Sequence, residues 1–353
     1  MPIRNIKIDF LKGAAMILVI LLHSFQMIEN FPALLKAPFL FGQIGVQLFL
    51  VCSGLLVVKT IFSKITSIKS YFIFIFKKYI SMAILFALFL CIYVVINILF
   101  NNFGLKVPYN NSIKPVSIIL NVLLLHGLSP VCLNNVVPGA WYVGTLFLLF
   151  LMCPLFKFKT KNSYKIAAAV ISVLSVILSI ILSRYGINTD NGSYFYFSFF
   201  NQLPAFLIGM GMGLSEQSKP CPVYLTISKS VLEFLVCLIL FVIELDFSCA
   251  LIPIFAALAF ENVYDLLELI PYQKLQVYGK PLIYIGANTY PIYLGHFLFV
   301  WYIPIIINNL FDTHWLMLWV VALITNAVLC AISSKINLIN SRITKYIYQI
   351  LNI

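Results

Sequence analysis

The stretch that decides the fold is residues 9–28, DFLKGAAMILVILLHSFQMI. Its apolar run, Phe10 to Ile28, is long enough to cross a hydrocarbon core of about 30 Å as a helix. Yet Asp9 and Lys12 stand at its leading edge and His23 lies inside it. An ionisable side chain in a membrane segment is costly and by default marks a functional position. Lys12 and His23 are eleven residues apart, almost three helical turns, so they lie on nearly one face. Along the axis they are separated by about 16 Å. They cannot touch, but they can serve two ends of one long substrate. A neutral imidazole bonded to a neighbouring helix is the purely structural reading of His23; a near-neutral pKa also suits it to act as a general base facing a water-accessible cavity.

Composition agrees with that first span. The chain has 353 residues, 62% hydrophobic and 10% charged, where a soluble domain carries about 25% charged residues. The apolar runs are continuous and about 20 residues long, which fits helices and not the short alternating segments of a β-barrel. The fold class is therefore an all-α polytopic membrane protein. The net charge of +12 reports orientation, and no soluble basic face is visible that would suit nucleic acid. The eight cysteines mostly lie in apolar runs and form no Cys-x-x-Cys pair, so they read as small packing residues. The N-terminal run could be a signal peptide, but His23 interrupts it and no small-residue cleavage site follows before Glu29, so it is expected to stay as a helix.

About ten transmembrane helices are expected, at 9–28, 40–58, 79–101, 141–156, 166–183, 197–214, 230–246, 248–264, 288–309 and 314–334. The stretch 116–126 is too short to cross and reads as a short re-entrant or interfacial helix. Ten crossings put Arg4 and Lys7, the lysines from Lys59 to Lys78, those from Lys157 to Lys165, and Lys335, Arg342 and Lys345 on one side. The positive-inside rule makes that side cytoplasmic, with both termini there. The outward loops are then 29–39, 102–140, 184–196, about 247 and 310–313. The longest, 102–140, is rich in Asn, Pro and Gly, as a lid or binding element often is. Residues 1–345 are expected to form a single integral-membrane domain, with 346–353 a short cytoplasmic tail and no appended soluble domain.

Several further residues could carry chemistry. Asp9 lies one turn from Lys12, near a helix start, and an ordinary ion pair there is plausible. Lys12 either snorkels to the headgroups or binds an anion. In Gly45-Val46-Gln47-Leu48-Phe49 through Ser53-Gly54, the small residues allow close helix approach, and Gln47 and Ser53 could line a cavity. Trp141 and Tyr142 follow Pro138-Gly139 at the outer end of a span, where aromatic side chains form either an interfacial belt or a binding surface. His126 ends the short outer helix and reads equally as a solvated loop residue. A second intramembrane histidine, His296, stands one turn after Tyr293. His314, beside Trp315, reads as interfacial. No zinc-ligand spacing, P-loop or Gly-x-Ser-x-Gly pattern occurs, and no metal site is expected.

Taken in order, these pieces resemble the membrane acyltransferase 3 family, whose members O-acylate bacterial surface carbohydrates. They are Asp9-Phe10-Leu11-Lys12-Gly13 through Leu22-His23; Gly45 through Gly54; Ala140-Trp141-Tyr142-Val143; Leu203-Pro204-Ala205-Phe206-Leu207-Ile208-Gly209; and Asn288-Thr289-Tyr290-Pro291-Ile292-Tyr293-Leu294-Gly295-His296. The resemblance runs essentially end to end. The family pattern is a basic residue, ten positions, then histidine; Lys12 and His23 keep the spacing with Lys where Arg is usual. Lysine keeps the charge and loses the bidentate fork. The family's Arg-x-x-Arg motif at the third span is replaced here by Lys77-Lys78-Tyr79-Ile80-Ser81.

The resemblance implies a protein of the bacterial cytoplasmic membrane that takes an acyl group, usually acetyl, from cytoplasmic acyl-CoA. The acceptor is a hydroxyl of a cell-surface or lipid-linked carbohydrate on the outer side. It implies His23 as general base with Asp9 in the catalytic group, donor binding by Lys12, Lys77, Lys78 and Ser53, and acceptor binding by Trp141, Tyr142, His126, Tyr293 and His296. The expected partners are acyl-CoA, the carbohydrate and the lipid bilayer, with no permanently bound cofactor and no nucleic acid. A different class of function, a flippase or exporter of polysaccharide or lipid-linked sugar, would use the same lysines and histidines toward an anionic lipid carrier.

Overall fold

The apolar runs fold as helices, and every regular element among the described residues is helical. The computed structural model describes residues 5–352 except 106, 109–114, 127–135, 186–197, 215–221 and 244–247. Arg4, Gly127, most of the expected loop 184–196, the turn near 247 and one end each of the expected spans 197–214 and 230–246 lie outside the described residues. In chain order the helices are α1 Ile6–His23, α2 Ala33–Leu40, α3 Ile44–Lys64, α4 Ile68–Asn102, α5 Pro115–Val122, α6 Trp141–Met152, α7 Lys161–Arg184, α8 Ser198–Gly213, α9 Val223–Ile243, α10 Ser248–Glu268, α11 Tyr272–Tyr278, α12 Lys280–Ala287 and α13 Thr289–Phe297. A π turn, Leu298–Tyr302, follows, then α14 Ile303–Phe311 and α15 Trp315–Ile350.

Among the described residues, seven helical stretches are long and apolar enough to cross a membrane: Ala33–Lys64, Ile68–Asn102, Lys161–Arg184, Val223–Ile243, Ala250–Glu268, Thr289–Phe311 and Trp315–Ile350. Trp141–Phe156 is a shorter apolar helix, and α1, with 18 residues, carries Lys7, Asp9 and Lys12 in its first two turns. The chain is a multi-pass membrane protein. The helix expected near 116–126 occurs as α5. Helices α4 and α15, of 35 and 36 residues, are each over 50 Å long at about 1.5 Å per residue. Both therefore outrun the expected spans 79–101 and 314–334. The two short helices α11 and α12 were not expected; Pro271 and Pro281 each stand where a helix start tolerates a missing amide hydrogen.

The chain forms two compact units. The first comprises residues 1–15, 43–72 and 149–287. In it α3 crosses α8 closely, and small residues make this possible. A Cβ on Gly54 would run into the Phe206 carbonyl, one on Gly209 into the Val51 carbonyl, and one on Gly213 into the Val58 side chain. Lipid tails are as apolar as the side chains, so helices in a bilayer associate through such close van der Waals packing. The expectation of close approach at Gly54 is met here. In the same unit α12 lies on the first turns of α1: Gly13 faces the Leu282 carbonyl and Gly286 the Asp9 carbonyl, each without room for a Cβ. Glu261 pairs with Lys161 at 3.3 Å and Lys165 at 3.4 Å.

The second unit comprises residues 16–42, 73–148 and 288–353. Tyrosine hydroxyls stitch its long helices together. Tyr290 donates to the Met82 carbonyl at 2.7 Å, Tyr93 to the Leu294 carbonyl at 2.9 Å, and Tyr348 to the Lys77 carbonyl at 2.6 Å. Tyr302 bonds the Asn97 amide oxygen at 2.6 Å. In hydrocarbon a hydroxyl without a partner is expensive, so each of these bonds also specifies a register between helices. At one end of the unit Phe25, Ile28, Phe31 and Leu318 form a buried cluster flanked by Phe39, Trp315 and Trp319.

The α3–α8 crossing generates a stability prediction. Gly209→Val forces a side chain into the Val51 backbone and should cost at least about 1–3 kcal/mol, the usual range for overpacking. Gly211→Ala, whose added Cβ would meet nothing nearer than 3.5 Å, should be nearly neutral. Thermal unfolding in detergent separates the two.

Candidate active site

His23 stands at the very end of α1, not inside a helix reaching Ile28 as the apolar run suggested. The Ser24 hydroxyl turns back onto the Leu21 carbonyl at 2.8 Å. The Trp301 indole donates to the His23 carbonyl at 3.1 Å, and the Trp319 indole to the Ser24 hydroxyl at 2.8 Å. The last carbonyls of a helix lack intrahelical partners, and here a tryptophan supplies one. The helix can therefore stop where the apolar run does not, and the chain turns through residues 24–27.

The half-buried His23 ring is held on several sides. Its Nδ1 is 2.7 Å from the Gln26 amide oxygen. Its face lies 4.4 Å from the Phe297 ring, and the Trp301 ring meets it edge-on at 5.9 Å. The His296 ring is 5.4 Å away, centre to centre. The two histidines, 273 positions apart in the chain, thus share one site, and Phe297 also contacts His296, at 4.0 Å.

His296 is fully buried. Its Nδ1 lies 2.6 Å from the Tyr293 carbonyl; a carbonyl only accepts, so Nδ1 carries the hydrogen and Nε2 presents a lone pair. That Nε2 is buried with no hydrogen-bond partner among the described residues. A buried acceptor left open costs about 1–3 kcal/mol, so an open one beside a second imidazole suits a water or a ligand hydroxyl.

Phe297 is the last residue of α13, and the π turn that follows carries Trp301. Pro304 has no amide hydrogen to give the carbonyl four residues before it, and the backbone just ahead of it widens into the wide turn Leu298–Tyr302. Single π turns of this kind recur at functional sites. The expected span 288–309 is accordingly not one uniform helix.

The segment before α6 completes the site. Gly139 has φ +70°, a left-handed conformation that favours glycine, and a Cβ there would strike the Phe297 ring at 2.6 Å. The Tyr293 hydroxyl donates to the Gly139 carbonyl at 2.8 Å, and the Tyr142 and Tyr293 rings meet edge to face at 5.1 Å. The next carbonyl, that of Ala140, accepts from His126 Nε2 at 2.7 Å. His126 lies flat on Phe86, with the rings 5.4 Å apart and 12° from parallel. It is buried, so the solvated-loop reading is corrected: stacking and the Ala140 bond hold it inside. Burial pushes its pKa down to about 4, against which the Ala140 bond works in the opposite direction.

His23, His126, Tyr142, Tyr293 and His296 are thus gathered in the second unit. Trp141 is half-buried at the start of α6. Lys77 lies over the Tyr348 ring at 5.7 Å and Lys78 over the Phe74 ring at 5.8 Å. In the first unit, Asp9 is buried and Lys12 half-buried on α1, and the Ser53 hydroxyl is donated to the Phe49 carbonyl of its own helix at 2.8 Å. Fourteen helical residues separate Asp9 from His23, about 21 Å of axis, so Asp9 does not orient the His23 ring. His314 is exposed and caps α15, accepting from the Leu316 amide at 3.3 Å. Gln26, Phe297 and Trp301 escaped sequence reasoning. The two aromatics read as ordinary members of an apolar run, and the signal for Gln26 was its place three residues after His23.

Within a multi-pass helical protein, two imidazoles and an open acceptor thus lie together among aromatic rings. Comparison with family models gives the class of protein: the acyltransferase 3 model, an acyltransferase domain, matches residues 5–335. The chain belongs to that family and is an acyltransferase. Comparison with curated proteins gives no match, and comparison with solved structures gives none.

Two outcomes follow from the 126–142 contacts. Gly139→Ala meets both the positive φ and the Phe297 ring, and should destabilise the protein by about 1–3 kcal/mol, measured as thermal unfolding in detergent. A histidine whose folded pKa lies below its unfolded value of 6.5 contributes stability that is complete above pH 6.5 and is lost as the pH falls towards 4. His126→Gln, which keeps a donor and does not titrate, should flatten the fall in melting temperature between pH 6.5 and 4.

Proposed function

We propose that this chain moves an acyl group, acetyl in the expected case, from acyl-CoA on the cytoplasmic side to a hydroxyl of a cell-surface or lipid-linked carbohydrate on the outer side. The observation that carries this reading is the His23–His296 pair. A hydroxyl nucleophile needs a base, and an acceptor held in place needs a polar partner. Here one imidazole is half-buried with its ring oriented by Gln26, and the other keeps a buried, unpartnered Nε2 beside it.

In this scheme His23 removes the acceptor hydroxyl proton while the hydroxyl oxygen attacks the thioester carbonyl. The new C–O bond forms, the C–S bond breaks, and the CoA sulfur leaves and takes up a proton; the products are an ester and free CoA. His296 Nε2 accepts from the acceptor sugar, and Tyr142, Tyr293 and Trp141 provide the apolar and hydrogen-bonding wall that aromatic side chains offer a sugar. His126 supports that wall from behind through the Ala140 carbonyl. Transfer is direct: the Ser53 hydroxyl is already committed to the Phe49 carbonyl, which disfavours a covalent relay through it.

Lys12, Lys77 and Lys78, with Ser53, would meet the donor, lysine ammonium groups serving as point charges for the CoA phosphates. Asp9, one turn from Lys12, would hold the ammonium in place. Ten crossings, cytoplasmic termini and a bacterial cytoplasmic membrane complete the proposal, with residues 1–345 as one integral-membrane domain. In this proposal the seven long apolar helices and the shorter helix Trp141–Phe156 would be joined by α1 and α8 to make the ten.

The test is mass spectrometry of surface glycans from cells with the wild-type gene, without it, and with His23→Ala. The expected result is one acyl group per acceptor, removable by mild alkali, with wild type only, while the variant protein remains in the membrane at a normal level. Acylation retained in His23→Ala would overturn the base assignment. Loss of the whole glycan on deletion, with no ester on the wild-type glycan, would point instead to an exporter.

A further inference from the structure

We infer that Gln26 is a positioning residue: its amide oxygen selects the tautomer of His23 and so decides which ring nitrogen acts as the base. The inference rests on the proposed role of His23 and adds a residue that neither the acyltransferase pattern nor the charge map singles out.

The geometry is local, and the Gln26 side chain that makes it is exposed. The chain turns immediately after α1, and this turn brings residue 26 back over residue 23; the main-chain N–H of Gln26 donates to the His23 carbonyl at 3.4 Å. The Gln26 side chain thereby reaches Nδ1 of the imidazole at 2.7 Å. An amide oxygen only accepts, so Nδ1 carries the hydrogen and the lone pair is left on Nε2. A neutral histidine is useful as a base only if the correct nitrogen is bare, and the partner of the other nitrogen decides this. A base with a third group orienting it is the general arrangement of activated sites.

The other contacts of the ring leave this task to Gln26. Phe297 and Trp301 restrict the plane of the ring, and the Trp301 indole holds the His23 main-chain carbonyl, but none of these bonds a ring nitrogen. Among the described residues, the titratable groups that face the ring are His296 at 5.4 Å and, behind His296 at 5.6 Å, Tyr293. His296 has the same arrangement, with Nδ1 on a carbonyl and Nε2 bare. The two rings are therefore matched, each with its Nε2 kept as an acceptor. The difference is that His296 is fixed by main chain, whereas His23 is fixed by a side chain that can be replaced.

Three variants test this in the full-length protein in detergent or nanodiscs. Gln26→Ala should lower kcat of acyl transfer tenfold or more with little change in donor KM. Gln26→Glu places a carboxylate on Nδ1 and favours the cationic ring, so the acid limb of the rate profile should move up by about one pH unit or more, with activity recovered at alkaline pH. The readout independent of activity is 15N NMR of histidine-labelled protein. The chain has four histidines, so the His23 resonances can be assigned by loss in His23→Ala. They should show hydrogen on Nδ1 in wild type and a tautomer mixture in Gln26→Ala. An unchanged tautomer and unchanged kcat in Gln26→Ala would overturn the inference. Full activity in His23→Ala would instead overturn the base assignment on which it stands, so the two failures are distinct.

Discussion

The Phe297 ring is the contact on which the rest of the site depends. It lies 4.4 Å from His23, 4.0 Å from His296 and 4.3 Å from Trp301, and it occupies the space a Cβ on Gly139 would need. One rigid apolar disc thus sets the spacing of two imidazoles, the approach of the indole that ends α1, and the path of the chain into α6. An aromatic ring does this at low entropic cost, because only two torsions must be frozen, and it offers the imidazoles no hydrogen bond that would compete with a substrate.

Around this disc the polar groups are arranged by the rule of a dry interior, in which every donor and acceptor must find a partner within the protein. Tyrosines on α13, the π turn and α4 reach carbonyls or amides of neighbouring helices. Tyr293 and His126 each take a successive carbonyl, Gly139 and Ala140, of the turn before α6. The Nε2 of His296 stays open, as do Nδ1 of His126 and the Asn97 amide nitrogen among the described residues; what sets the His296 atom apart is its place beside a second imidazole.

Much of this was legible in the chain. Continuous apolar runs about 20 residues long specify helices whatever they pack against, and the short helix after the third span was visible as an apolar stretch too brief to cross. The residues that emerged as candidates, His23, His126, Tyr142, Tyr293 and His296, stood out because a polar or amphipathic side chain in an apolar run has few reasons to be there. Gly54 was legible for the same kind of reason, since a missing side chain in a membrane helix implies a near neighbour. Helix ends were less legible. The run through Ile28 continues past the end of α1, because the stop at His23 is made by Trp301 and Trp319, residues far away in sequence. Pro304 could be read as a local disturbance, but not the width of the turn it accompanies.

By itself the sequence determined that the chain is a multi-pass helical membrane protein of the acyltransferase 3 family and singled out His23 as a candidate, because composition, hydropathy and charged exceptions are properties of single positions and their near neighbours. Only the tertiary structure decided that His23 and His296 share a site, that Phe297 separates and orients them, that His126 is buried behind the Gly139–Tyr142 turn, and that Gln26 holds the His23 ring. Those are relations between side chains on different helices, or across a turn. They depend on where each helix stops and how its face is rotated, which the packing of unlike side chains sets and the pattern of one segment does not.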